Sequence, residues 1–422
     1  MFLKEGEHYY SPTVTLEGFI TILMIAAFEG RKVVSFDVPG AFLQAELPHD
    51  ELVLLKLRGR FVDIMCEINP EHKPNVRYEN GVKVLYMKVI RAIYGCIESA
   101  LAWYDLFTNT LKSKGFELNP YDKCIANKMY NGKQCTIAWH VDDNVATHED
   151  QEVIDEIKSI MVEHFGEMKF VEGEEHTFLG MKITIKDKKV MIDMRDQINE
   201  TIDKFEADTG EIVKDSVKSP ANHSLFLVDE GAKELDENKS DIFHSTTAKL
   251  LYIMKRARPD IETSISFLSR RVSKSAEDDW KKLKRVLGWL KRTIDDIRTI
   301  GATSLTELYT YIDAAFAVHD NMQSHTGGAI SMGYGIVHGK SSMQKINTKS
   351  STEAELVGIS EYIPYNLWLL HFLDAQGYGI KDNVVYQDNQ STICMAKNGR
   401  DSTTGNSRHI NIRYFFVKDR ID

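Results

Sequence analysis

Two short apolar runs, residues 135–141 and 145–148, flank the polar triplet Asp142-Asp143-Asn144. Runs of this length and composition read as strands, and a polar triplet between them reads as a tight turn. The chain is therefore expected to build an antiparallel hairpin with two adjacent carboxylates at its tip. A third carboxylate, Asp37, lies in another apolar run, residues 33–38, which Pro39-Gly40 breaks. Carboxylates packed together repel one another, so such a cluster makes physical sense chiefly around bound cations. Two Mg²⁺ ions about 3.5–4 Å apart can bridge the attacking and leaving oxygens of a phosphoryl transfer, and such hard cations take carboxylate ligands. Asp37 with Asp142 and Asp143 fits that requirement. A lone Asp-Asp pair is ordinarily a solvated turn, so the surrounding residues have to carry the argument.

Further along, residues 15–30 read as a helix ending at Gly30, residues 99–114 as an amphipathic helix closed by Gly115, and residues 153–165 as a third helix. Residues 177–185 and 190–194 suggest a hairpin. A polar stretch, residues 204–240, marks a boundary, with helices expected at about 243–257, 259–272 and 276–293. After Gly301 the pattern changes to strands at 307–314, 326–333 and 335–340, a long helix at 352–373, a strand at 383–387 and two more helices. This order indicates an α+β domain followed by an α/β domain.

The second half carries its own carboxylates. Asp313 falls in a strand, Glu353 and Glu355 near the start of the long helix, and Asp388 at a strand end. A strand Asp, a helix Glu and a strand-end Asp can converge on a metal pair and suit hydrolysis of a phosphodiester by metal-activated water. Successive helical residues turn by about 100°, so Glu353 and Glu355 point apart and only one can be the main ligand.

Composition narrows the class. The chain has 422 residues, 43% hydrophobic and 27% charged, enough for two or three globular domains. Its longest apolar run, residues 19–28, falls short of the roughly 20 residues that cross a bilayer, and no signal peptide pattern opens the chain. The five cysteines form no Cys-x-x-Cys pair and no zinc spacing, and read as reduced buried thiols. The net charge of −10 is awkward for a protein that grips phosphates. A local basic cluster, Arg270, Arg271, Lys274, Lys281, Lys282, Lys284, Arg285, Lys291 and Arg292, reads either as a surface tracking a nucleic-acid backbone or as a solvated helix face.

Four segments together resemble copia-type retrotransposon reverse transcriptases. Asp37-Val38-Pro39-Gly40-Ala41-Phe42-Leu43 resembles the first catalytic segment, Asp-Val-x-x-Ala-Phe-Leu. Tyr94-Gly95 opens a segment resembling Leu-Tyr-Gly-Leu-Lys-Gln-Ser-Pro-Arg-Ala-Trp-Tyr. His140-Val141-Asp142-Asp143 resembles the family's Tyr-Val-Asp-Asp turn, and Phe178-Leu179-Gly180-Met181 resembles its primer-gripping hairpin. Downstream, Tyr311-Ile312-Asp313-Ala314, Ser351-Thr352-Glu353-Ala354-Glu355 and Tyr386-Gln387-Asp388-Asn389-Gln390-Ser391 resemble the ribonuclease H module of the same polyproteins. The connector is similar too, through Arg258-Pro259-Asp260-Ile261 and the helix at 280–291.

The resemblance implies an α+β fold: a right-hand polymerase palm with partial fingers (1–200), a helical thumb or connector (201–300), and an α/β ribonuclease-H-like domain (301–422). It implies an RNA-directed DNA polymerase that also cleaves the RNA of RNA–DNA hybrids, with two Mg²⁺ ions per site and Mn²⁺ as a substitute. Asp37, Asp142 and Asp143 would ligate metal at the first site, and Asp313, Glu355, Asp388 and Asn411 at the second. Glu355 rather than Glu353 follows from alignment to the family pattern, and Asn411 stands where the family has Asp. Ala41, Phe42, Tyr94 and Gly95 would contact the incoming nucleotide, with Phe42 crowding a ribose 2′-OH, and Lys169 is a weaker candidate for protonating pyrophosphate. Implied partners are an RNA template, a DNA or RNA primer, the hybrid, deoxynucleoside triphosphates and the integrase, protease and capsid segments of a polyprotein, with no membrane. The implied location is the cytoplasm, within a virus-like particle, or the nucleus. The resemblance starts after the family's first finger strands, so the chain is expected to be cut short at its front end. The sequence departs from the family at His140, where the family has Tyr, and at Ile97, Glu98, Ala100 and Leu101, where it has Lys, Gln, Pro and Arg, so two positive charges are lost and one negative charge is gained. Two other readings follow from these departures: a remnant that only binds nucleic acid, and a chain active in its ribonuclease half alone.

Overall fold

The computed structural model describes residues 10–47, 52–398 and 417. Asn411 and the second helix expected after residue 387 lie outside the described residues.

The first sheet has six strands in the order Glu117–Leu118, Ile125–Tyr130, Lys133–His140, Asp143–His148, Lys32–Asp37 and Phe170–Glu172. Its centre is apolar because Val33, Val34 and Phe36 are buried in one strand and Ile137, Ala138 and Trp139 in another. The helix Leu16–Glu29 is buried over most of its surface, from Gly18 to Ala27, which explains its near-continuous apolar sequence. The helix Ile97–Ser113 docks through aromatic side chains: Trp103 and Phe107 meet Phe165, and Phe107 meets Trp139 with ring centroids 5.2 Å apart.

The expected strand at 177–185 is split. Glu175–Phe178 and Met181–Lys186 form a hairpin with Phe178 opposite Met181, and the turn is Leu179-Gly180. Met181–Lys186 then pairs with Lys189–Asp193. The five-stranded sheet built on this hairpin continues into Arg298–Ala302 and Gly333–Tyr334, segments far away in sequence. The stretch up to Gly301, to which the sequence assigned no element, thus supplies an interior strand. The helix Arg195–Thr209 runs into the stretch expected to be a polar boundary.

The helices Glu237–Arg256, Glu262–Ser269 and Glu277–Arg292 follow. The last carries the second part of the basic cluster, and most of its charges are paired within the protein. Arg271 pairs with Asp279 at 3.1 Å, Lys282 with Asp278 at 3.1 Å and Lys291 with Glu206 at 2.9 Å, while Lys284 pairs with Glu211. Arg285 and Arg292 donate to the carbonyls of Ser219 and Val217. Lys284, Arg285, Lys291 and Arg292 of the face read as tracking a nucleic-acid backbone therefore clamp the segment at 206–219. That segment crosses so closely that a Cβ on Gly288 would lie 2.3 Å from the Lys214 carbonyl oxygen.

The last sheet has four strands in the order His338–Met343, His325–Ser331, Glu307–Ala315 and Asp382–Tyr386, with the final pair parallel. The long helix Ser351–Ala375 covers one face, laying Gly358 and Tyr362 against it. A parallel pair needs a crossover, and this helix provides it. The main core is continuous from Val14 to Val417, while Val62, Cys66 and Leu85 form a small separate one beside the three-stranded sheet of Leu54–Arg58, Val82–Lys88 and Arg77–Glu79. All five cysteines are free thiols, and burial pushes Cys135 up to about 12. Among the described residues, no helix is long and apolar enough to cross a membrane.

Candidate active site

Two carboxylate groups sit at the ends of strands. In the first, Lys32–Asp37 pairs with Asp143–His148 so that Asp37 is directly opposite Asp143. Facing residues on neighbouring strands bring their Cβ atoms to about 5 Å, where like charges oppose each other. Asp142 lies in the turn, and its carbonyl accepts the Val38 amide at 3.1 Å. The expected turn at 142–144 is shifted by one residue, because Asp143 and Asn144 pair in the strand and Val141 enters the turn.

Val141 has φ 59°, a left-handed conformation that a β-branched residue rarely adopts. The indole N–H of Trp103 donates to the Val141 carbonyl at 2.7 Å and helps to hold it. Burial and the neighbouring Asp142 and Asp143 push the Asp37 carboxyl up, and burial and Asp142 do the same to Asp143. The nearby Leu179 backbone N–H acts in the opposite direction.

Tyr94 is exposed, and its phenol is pushed up by burial and by Asp142 and Asp37, which places it beside this group. Its ring meets Phe42 at 4.7 Å. Gly95 is exposed beside it, whereas Ala41 is fully buried beneath the surface. Lys169 is exposed, in the loop before Phe170–Glu172.

The second group is tighter. Oxygens of Asp313, Glu355 and Asp388 all lie within 4.8 Å of one another, the one trio of possible metal ligands among the described residues to do so. Asp313 points from the exposed face of Glu307–Ala315, Asp388 follows Asp382–Tyr386, and Glu355 is buried in the second turn of the long helix. Both oxygens of Glu355 are engaged: the Ala314 amide donates to one at 3.2 Å, and the Gln387 side chain to the other at 3.0 Å. Burial, and then Asp313 and Asp388, push its carboxyl up against the effect of those donors. Glu353 stays outside and accepts the Lys349 amide at 2.6 Å, closing the helix start. An open groove of about 620 Å³ borders Asp313 and Asp388, walled by Tyr311 and Tyr386, whose rings stack at 4.8 Å, and floored by Gly327 and Gly328.

Sequence reasoning missed Gln387, Trp103 and Leu179 as supports. Gln387 adjoins Asp388 and could have been noticed; the other two act through contacts distant in sequence.

Residues 4–214 match the reverse transcriptase (RNA-dependent DNA polymerase) family. The chain belongs to that family. Within it, this reverse transcriptase lies in the copia-type Pol polyprotein group, as its relatives show. It is 26% identical over 420 residues to the retrovirus-related Pol polyprotein from transposon TNT 1-94 of Nicotiana tabacum, covering 99% of this chain and 30% of that protein. It is 24% identical to the corresponding polyprotein from transposon RE1 of Arabidopsis thaliana, covering 98% of this chain and 26% of that one. The chain thus spans less than a third of these relatives. A crystal structure of the prototype foamy virus protease-reverse transcriptase is similar over 93% of this chain and 42% of its own, at 11% identity and a TM-score of 0.20.

Proposed function

We propose that this reverse transcriptase region is an RNA-directed DNA polymerase joined to a ribonuclease acting on RNA–DNA hybrids, with separate carboxylate centres. The observation that carries the polymerase half is the meeting of Asp37, Asp142 and Asp143 at the ends of two interior strands inside the segment that matches the family. Asp313, Glu355 and Asp388 support the hydrolytic half. On this reading residues 1–200 are partial fingers and palm, 201–300 a thumb or connector, and 301–422 a ribonuclease-H-like domain.

The donor sets fit divalent cations. Each joins three carboxylates, and burial together with their mutual repulsion raises at least one carboxyl, a repulsion that Mg²⁺ or Mn²⁺ would remove. Such cations, when bound, would stabilise charge developing on phosphoryl oxygens and acidify the attacking water or hydroxyl. Asp37, Asp142 and Asp143 would hold them at one centre, and Asp313, Glu355 and Asp388 at the other. The Phe42 ring, braced by Tyr94, would exclude a 2′-hydroxyl by bulk. The substrates would be a primed RNA template, deoxynucleoside triphosphates and hybrid, supplied within a polyprotein's particle.

The tighter second trio favours one further reading, activity in the ribonuclease half alone. Labelled hybrid and a primed template, incubated with Mg²⁺ and then Mn²⁺, separate the two. Cleavage lost in Asp313→Asn and extension lost in Asp37→Asn is the expected result. Cleavage without extension would leave the hydrolytic reading, and neither activity from folded protein would overturn the proposal.

A further inference from the structure

The last sheet has one face under the long helix, and its other face carries tyrosine rings. Leu308, Thr310 and Ile312 are buried, and the alternation of side chains along Glu307–Ala315 puts Tyr309, Tyr311 and Asp313 together on the opposite face. Tyr386 stands beside Tyr311 on the parallel neighbour strand. Both are about half exposed, and their rings stack at 4.8 Å with an interplanar angle of 10°. That distance is one strand spacing, so the rings stand side by side, one to a strand. On its other side Tyr311 pairs with Ala329, and Ala329 with Gly339. Directly opposed residues share a face, so the next two strands carry no ring at this level. The free face of Tyr311 therefore looks into the groove of about 620 Å³ that borders Asp313 and Asp388. A Cβ on Gly327, which pairs with Asp313, would meet nothing closer than 4.0 Å. A flat ring laid over Ala329 would continue the row that Tyr386 and Tyr311 begin.

We propose that the free face of Tyr311, backed by Tyr386, is a stacking subsite for an unpaired nucleobase next to the phosphate that Asp313, Glu355 and Asp388 address. Tyr311 and Asp313 are two residues apart on one strand, roughly 7 Å, so ring and carboxylate reach neighbouring parts of one nucleotide chain. Bases inside a duplex cover one another's faces, and a mismatched or frayed base is the least costly to turn out. The substrate selected is then a hybrid interrupted or ended beside the cleavage point rather than uniform duplex. This rests on reading the second trio as a hydrolytic centre.

The test is fluorescence anisotropy of two labelled RNA–DNA hybrids with the full chain, Ca²⁺ standing in for Mg²⁺. One hybrid is fully paired, and the other has a single mismatched ribonucleotide. The mismatched hybrid should bind about five- to a hundredfold more tightly, the size of one base–aromatic stack. Tyr311→Leu should bring it down to the affinity of the paired hybrid, whereas Tyr311→Phe, which keeps the ring, should preserve the difference. Should Tyr311→Leu melt early, Ala329→Leu, which fills the space beside the ring and leaves both tyrosines in place, replaces it with the same expectation. With Mg²⁺, cleavage by the wild type should concentrate beside the mismatch, and in Tyr311→Leu it should spread along the hybrid. Equal binding of the two hybrids by the wild type, or a preference that survives both Tyr311→Leu and Ala329→Leu, overturns the subsite. A preference lost in those variants, with no cleavage in Mg²⁺ or Mn²⁺, upholds the stack and overturns the hydrolytic reading instead.

Discussion

At the scale of residues, the two carboxylate groups differ in how they are held. Glu355 has an N–H donor on each oxygen, yet burial and two neighbouring aspartates keep its carboxyl raised. A carboxyl raised by folding contributes stability when protonated, below its unfolded value, and that contribution is lost as pH rises through the folded value. Cations reverse the preference because they bind the ionised form. The Mg²⁺-induced rise in melting temperature should therefore shrink as pH falls toward the raised carboxyls of Glu355, Asp37 and Asp143, which protonate at higher pH than free carboxylates. A shift that grows toward acid pH would contradict the assignment. Removing one donor, as Gln387→Ala does, should move the acid limb of hybrid cleavage upward and leave primer extension alone. Asp388→Asn should abolish cleavage and spare extension; equal loss of both would sink the idea of separate centres.

At the scale of elements, close backbone approach and internal ion pairs set the tolerances. Gly288→Ala would place a methyl against the Lys214 carbonyl and should cost about 1–3 kcal/mol in urea unfolding. A neutral result would mean that the segment at 206–219 can lift from the helix. The basic side chains of Glu277–Arg292 that pair with Glu206 and Glu211 should matter for that same docking. Exchanging Lys284 and Lys291 for Gln should lower stability slightly and leave the salt dependence of hybrid binding unchanged. A reduced salt slope would show that these lysines meet phosphates after all.

At the scale of the whole molecule, one half-buried arginine joins distant segments. Arg298 donates to the carbonyls of Lys255 and Arg256 at the end of one helix, and to Ile336 and Val337 beside the last sheet. Burial without a directly paired carboxylate holds its guanidinium down at about 10. Arg298→Ala would leave those carbonyls short of a donor and should cost about 3 kcal/mol or more. Other links reinforce the union: Glu17 meets His338 at 2.7 Å, and Arg31 meets the Tyr378 hydroxyl at 2.8 Å. Calorimetry should accordingly show one dominant transition for the described core rather than independent halves, and Arg298→Ala should be the variant that splits it.

The strands and helices that carry the carboxylates were legible from residue patterns alone. Apolar runs at 33–38 and 135–141, the Gly30 and Gly115 stops, and the acids at strand ends are local signals, because period and turn chemistry are written over a few neighbours. The choice of Glu355 over Glu353 was legible through the family pattern, and the convergence with Asp313 and Asp388 agrees with it. Other features depended on encounters that no local pattern encodes. The pairing of Arg298–Ala302 with Lys189–Asp193 joins segments more than a hundred residues apart. The inward use of the basic cluster depends on where Glu206 and Glu211 arrive. The left-handed Val141 and Leu179 are held by Trp103 and Tyr252 from distant helices, against their own preferences. Sequence by itself determined the elements that carry the carboxylates and the charge gathered in the two groups, since propensity and charge are properties of the residues. Tertiary structure decided which donors hold those carboxylates and how tightly each group closes, since hydrogen bonds and repulsion depend on distances that only packing sets.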